Sequence, residues 1–119
     1  MIEYARDLVK ANKSAVVIFT RGDKFDFDKS GDGYSGNWLI RRVQLDFVII
    51  YCRPKERSEG AEIYIGNFVR IDPAIKPKSH EERMLRRSVR FTNLKRVGET
   101  DFNFHQFTGT KRNSFCFIN

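Results

Sequence analysis

The chain has 119 residues, of which 40% are apolar, 31% charged and 13% aromatic. That length fits one domain spanning 1–119, large enough to bury a core without disulfides or metals, and the composition excludes a disordered chain. Lys and Arg total 22 against 15 Asp and Glu, a net charge of +7 with a pI near 9.7, and no apolar run reaches the ~18 residues of a membrane span.

Residues 2–12 carry Ile2, Ala5, Leu8 and Val9 on one side of a helical projection, with Glu3, Arg6, Asp7 and Lys10 on the other. The pattern predicts a short amphipathic N-terminal helix. Ala15 to Phe19 is a β-branched apolar run and predicts a buried strand. Residues 22–37 are rich in Gly, Asp and Ser and predict a long loop. Trp38-Leu39-Ile40 opens the next strand, and Phe47 to Cys52 is the strongest apolar run, expected at the centre of the sheet.

Charged residues from Pro54 to Gly60 mark a turn, and Glu62 to Ile71 reads as a strand with a bend at Gly66-Asn67. Ser79 with Glu82 fits a capping box and predicts a short helix near 79–87. Val89, Phe91, Leu94 and Val97 predict another strand, and Phe115-Cys116-Phe117-Ile118 a last one. The expected fold is α+β and mostly β: a small, curved, antiparallel sheet or barrel with an N-terminal helix.

The charge is unevenly placed. Residues 1–40 hold six bases and six acids, so the excess lies in 41–119. Arginine dominates there, at 41, 42, 53, 57, 70, 83, 86, 87, 90, 96 and 112. Its planar fork suits phosphates and base edges, so an acidic polymer is the leading partner class, DNA or RNA first and an acidic protein second. Cys52 and Cys116 lack metal-ligand spacing, and a small secreted scaffold would carry more cysteine. Met1 to Tyr4 does not open a secretory signal. The expected compartment is therefore the cytoplasm.

Few catalytic constellations are present. Asp28-Lys29-Ser30-Gly31-Asp32-Gly33 begins like a calcium loop, but the twelfth position is Leu39 where a bidentate acid is needed. Ser35 lacks the spacing of a nucleophile elbow. Tyr64-Ile65-Gly66 matches half of the GIY-YIG nuclease signature, without the first half upstream. Asp46 and Glu62 are suitably separated for a metal-dependent nuclease, yet no Glu-x-Lys follows. His80 and His105 do not combine with the cysteines into a zinc site. No cofactor is expected, and binding is expected ahead of catalysis.

Arg83, Arg86, Arg87 and Arg90 would form one basic face if helical. Aromatic residues interleave with arginines along the second half, a pairing that stacks bases and holds phosphates. Trp38 is the only tryptophan and follows a Gly/Ser/Asn segment, a place where a pocket could hold a flipped base.

Gly36 to Ile40, Asp46 to Arg53, Glu62 to Phe68 and Val89 to Phe91 together resemble a small β-barrel module of the PUA-like superfamily, which includes EVE, YTH and ASCH domains. Some of these are fused to HNH restriction endonucleases and read modified DNA. The resemblance spans about residues 36–118 and implies a barrel that takes an extruded, modified base into an aromatic pocket, with Asn37 and Trp38 as the best-matched residues. The N-terminal helix and the aspartate-rich loop depart from that pattern.

The expected function is non-enzymatic nucleic-acid binding. Arg41, Arg42, Arg86, Arg87, Arg90 and Arg96 would contact phosphates, Trp38, Tyr51 and Tyr64 would stack, Asn37 would read a base edge, and Arg53 joins them as a nucleic-acid-binding residue. The alternatives are a phage-type anti-defence module that docks a basic surface on a protein, and a small metal-dependent nuclease.

Overall fold

The computed structural model describes residues 1–111 and 114–119. Seven strands build the protein: β1 (Ala15–Thr20), β2 (Phe25–Phe27), β3 (Gly33–Trp38), β4 (Phe47–Cys52), β5 (Ala61–Pro73), β6 (Arg87–Thr100) and β7 (Phe115–Ile118). They form one sheet in the order β2-β3-β6-β5-β4-β1-β7. Two short helices, α1 (His80–Leu85) and α2 (Phe104–Thr108), and a 3-10 turn at Ala5–Leu8 complete the fold.

The mostly-β expectation holds. The barrel does not: the sheet stays open, with β2 and β7 at its two ends. Nor is the sheet wholly antiparallel, because β1 runs parallel to β4, with Val16 opposite Val48 and Ile18 opposite Ile50. That pair is buried on both faces, as its continuous apolar runs require. Ala15, Val17, Ile49 and Tyr51 face one core layer, roofed by the 3-10 turn and by Phe104 and Phe107 of α2. Val16, Ile18, Val48 and Ile50 face the other, where the sheet coils back so that Val89, Phe91 and Leu94 of β6 pack against them.

The N-terminal helix is reduced to the single turn at Ala5–Leu8. A helix this short is marginal alone, and tertiary contacts decide: Ile2 donates its N–H to Glu99 O, while Ala5 and Val9 are buried. The expected loop at 22–37 contains the β2–β3 hairpin. Its turn is the segment that resembled a calcium loop. Asp28 accepts from the N–H groups of Ser30 and Asp32, closing an Asx-type turn. Strand β3 ends at Trp38, where the sequence pattern predicts a strand beginning. The phenylalanines at 104 and 107 lie on α2. Helix α1 begins at the expected cap, with Ser79 Oγ accepting from Glu82 N–H. It ends at Leu85, so Arg83, Arg86, Arg87 and Arg90 do not share a helical face.

Among the described residues, no helix is long and apolar enough to cross a membrane.

Candidate nucleic-acid interface

Between the end of β3 and the edge strand β7 lies a cleft of about 1090 Å³. One wall is the end of β3 and the segment after it: Trp38, Leu39, Arg41 and Arg42. The opposite wall is Ser114 to Phe117 at the start of β7, and the α2 exit and Arg86 complete it. Coiling of the sheet brings these walls together. Trp38 of β3 meets Phe115 of β7 edge-on, ring centroids 6.0 Å apart.

The rings are held by known partners. The Trp38 indole N–H donates to the buried Ser35 Oγ at 3.1 Å, which fixes the ring and leaves it half-buried. Phe115 packs edge-on to Phe117 at 5.9 Å, and the Arg42 guanidinium lies 5.3 Å from the Phe117 ring centre. Phe117 remains 38% exposed.

The cations are oriented by main-chain oxygens. Arg41 donates to Leu85 O at 3.2 Å, Arg42 to Asn119 O at 2.8 Å and Arg86 to Asn37 O at 3.2 Å. A guanidinium has five N–H donors, so each keeps several for a ligand. Among the described residues, none of the three meets an Asp or Glu side chain. Arg57, Arg70 and Arg96, elsewhere on the surface, all do. Among the described residues, no Asp or Glu lines the cleft. Three arginines gathered in one recess without an Asp or Glu partner favour an anionic occupant.

Thus Trp38, Arg41, Arg42 and Arg86 share one site. The other expected contact residues lie elsewhere. The Asn37 side chain sits beneath the surface, with Nδ2 donating to Ile75 O and Glu82 Oε1 at 2.8 Å each and Oδ1 accepting from Ile75 N–H at 2.7 Å. Both amide N–H groups are committed, leaving none for a base edge. Tyr51 is fully buried; its hydroxyl donates to Phe102 O and accepts from Arg53, each at 2.7 Å. Burial pushes its phenol up, partly offset by Arg53. Arg53 also donates to Gly60 O, so it braces the core.

Tyr64 packs against the second core layer, bonded to Glu62, and burial with that carboxylate raises its phenol. Arg87 donates to the carbonyls of Met84 and Arg86, satisfying the end of α1. Arg96 pairs with Glu62 and Glu99. Arg90 lies in register with Tyr34 and Arg70, on the face opposite Val89 and Phe91. Arg112 falls outside the described residues.

The sequence reading missed Leu39, Phe115 and Phe117. The alternation Phe115-Cys116-Phe117 was the available signal, since it puts both rings on one face of a strand.

Helix α1 braces the β3 wall of the cleft. Glu82 accepts from Lys24 Nζ at 2.9 Å as well as from Asn37, and these two partners hold its carboxyl below the usual range. The α1 C-terminus in turn offers Leu85 O to Arg41, and Arg86 follows it.

Thr108, Thr110 and Ser114 also line the cleft, and His105 Nδ1 lies 3.2 Å from Thr110 O. Among the described residues, no three His, Cys, Asp or Glu side chains gather where one ion could be held. Cys52 is buried, and burial followed by Glu62 and Glu56 keeps its thiol protonated.

No protein-family model, curated protein or solved structure matches the chain.

Proposed function

We propose that this protein binds nucleic acid in the cleft between the end of β3 and β7. The observation that carries the reading is the set Arg41, Arg42 and Arg86, which among the described residues meet no Asp or Glu side chain and gather around the rings of Trp38, Phe115 and Phe117. The arginines would hold phosphates and the rings would stack bases. The net charge of +7 adds long-range attraction.

The finer proposal is a reader of modified or flipped bases, in keeping with the PUA-like resemblance. It now rests on Trp38 with Phe115, since Tyr51 and Tyr64 lie in or against the core away from the cleft. A second reading, docking on an acidic protein, draws on the exposure of Leu39 and Phe117 beside the arginines.

Fluorescence anisotropy with labelled oligonucleotides, plain and cytosine-modified, separates these. Nucleic-acid binding predicts an affinity that falls as salt rises and that drops in Arg42→Ala and Arg86→Ala. A base reader adds a preference for one modified probe that Trp38→Ala abolishes. No binding by any probe at low salt, with a protein partner retained in pull-down, would transfer the site to the second reading.

A further inference from the structure

Resting on the nucleic-acid reading above, we infer that the cleft takes a single strand laid along the free edge of β7. The cleft follows the strand edge and not one of its faces. Four consecutive residues, Ser114 to Phe117, line it, whereas a groove on one face would meet alternate residues only.

The register says which main-chain groups are available there. Phe19 N–H donates to Ser114 O, and β7 continues antiparallel to β1 with Val17 opposite Cys116 and Val16 opposite Phe117. In an antiparallel ladder, hydrogen-bonded and non-bonded pairs alternate. Ser114 and Cys116 therefore bond toward β1, while the N–H and C=O groups of Phe115 and Phe117 point away from it. Those two N–H groups join Arg41, Arg42 and Arg86 as donors along the seam, a set suited to a row of phosphate oxygens.

The rings select the form of the nucleic acid. Trp38 is half-buried in one wall and Phe115 in the other. A base stacks on either only if its own face is uncovered and it can enter a recess. Bases inside a duplex meet neither condition, and the recess presents no helix or ribbon to a duplex groove. An added peptide strand is the competing occupant of any free edge. Here β7 offers it only two outward-facing residues, a short ladder, while three arginines line the cleft along the same edge.

The test compares a short single-stranded thymidine oligonucleotide, a hairpin duplex of equal length and an oligo-glutamate peptide as competitors for one labelled single strand. The single strand is expected to bind roughly tenfold or more tightly than the duplex, in line with stacking by one or two bases. Phe117→Pro removes one outward N–H from an edge strand, where proline is tolerated, and Phe117→Ala removes the ring. Each is expected to weaken single-strand binding several-fold with a native melting profile, and the alanine variant carries the test if the proline variant fails to fold.

Duplex binding that equals or exceeds single-strand binding, and is lost in Arg42→Ala, overturns the single-strand inference and leaves the nucleic-acid reading standing. Tighter capture of the peptide, or no binding by either nucleic acid, overturns both.

Discussion

Glu82 does more at the residue scale than its place in a capping pattern implies. Its backbone N–H caps α1 through Ser79, while its carboxylate reaches Lys24 and Asn37. Because the folded carboxyl sits below its ordinary value, its stabilisation is present above about pH 4.3 and is lost as pH falls through the folded value. Glu82→Gln is therefore less stable than the parent at neutral pH, and the difference closes in acid. Urea midpoints measured across that range check it; a difference that does not change with pH would contradict it. Tyr51 behaves in the opposite sense. Its raised phenol keeps its contribution complete below about pH 10 and loses it as pH rises further. Tyr51→Phe leaves the Phe102 carbonyl and an Arg53 donor without their partner, an expected loss of about 1–3 kcal/mol in denaturant unfolding at neutral pH. Oligonucleotide affinity measured under folded conditions is expected to be unchanged, and a large drop would return Tyr51 to the binding surface. These residues also mark what single positions in the sequence reveal. Asn37 and Tyr51 have the chemistry of base readers, and only their partners at Ile75, Glu82 and Phe102 show it directed inward.

Elements were legible where pattern and local signals agreed. The runs at 15–19 and 47–52 are apolar throughout, and both strands lie at the buried parallel pair. Helix α1 starts at its predicted cap. Helix α2 was equally available: Asn103 and Gln106 form a reciprocal capping box, and Gly109 at φ 71° closes the helix. The hairpin of β2 and β3 was hidden because glycine and aspartate mask strand propensity. There the glycines serve close packing. Gly31 has φ +83°, and a Cβ on it would run into the main chain of Leu94, whose N–H bonds to Gly31 O at 2.9 Å. Gly31→Ala is expected to cost at least about 1–3 kcal/mol from the backbone conformation alone, with the clash adding to it. A melting temperature equal to the parent's would show that this turn does not hold the hairpin to β6.

Across the whole molecule the sheet stays open, and the proposed binding cleft lies beside its β7 edge. Neither wall of that cleft is a local property of the sequence. Trp38 and Phe115 are far apart in sequence and meet only in the folded sheet, so the alternation at Phe115 and Phe117 could show a shared face but not that this face meets Trp38. If three arginines contact phosphates of a single strand, the logarithm of affinity should fall with the logarithm of salt at a slope of about −2, and each arginine replaced by alanine should lower its magnitude by about 0.7. The most direct test of the central claim uses Trp38, the only tryptophan in the chain, as a reporter built into the cleft. Its emission is followed while unlabelled single-stranded oligonucleotide is added to the intact protein. Saturable change of the Trp38 signal, reversed by salt and displaced in Arg42→Ala to higher ligand concentration, is the predicted result. Binding seen by anisotropy that leaves Trp38 emission unaltered would place the ligand elsewhere on the molecule and contradict the account.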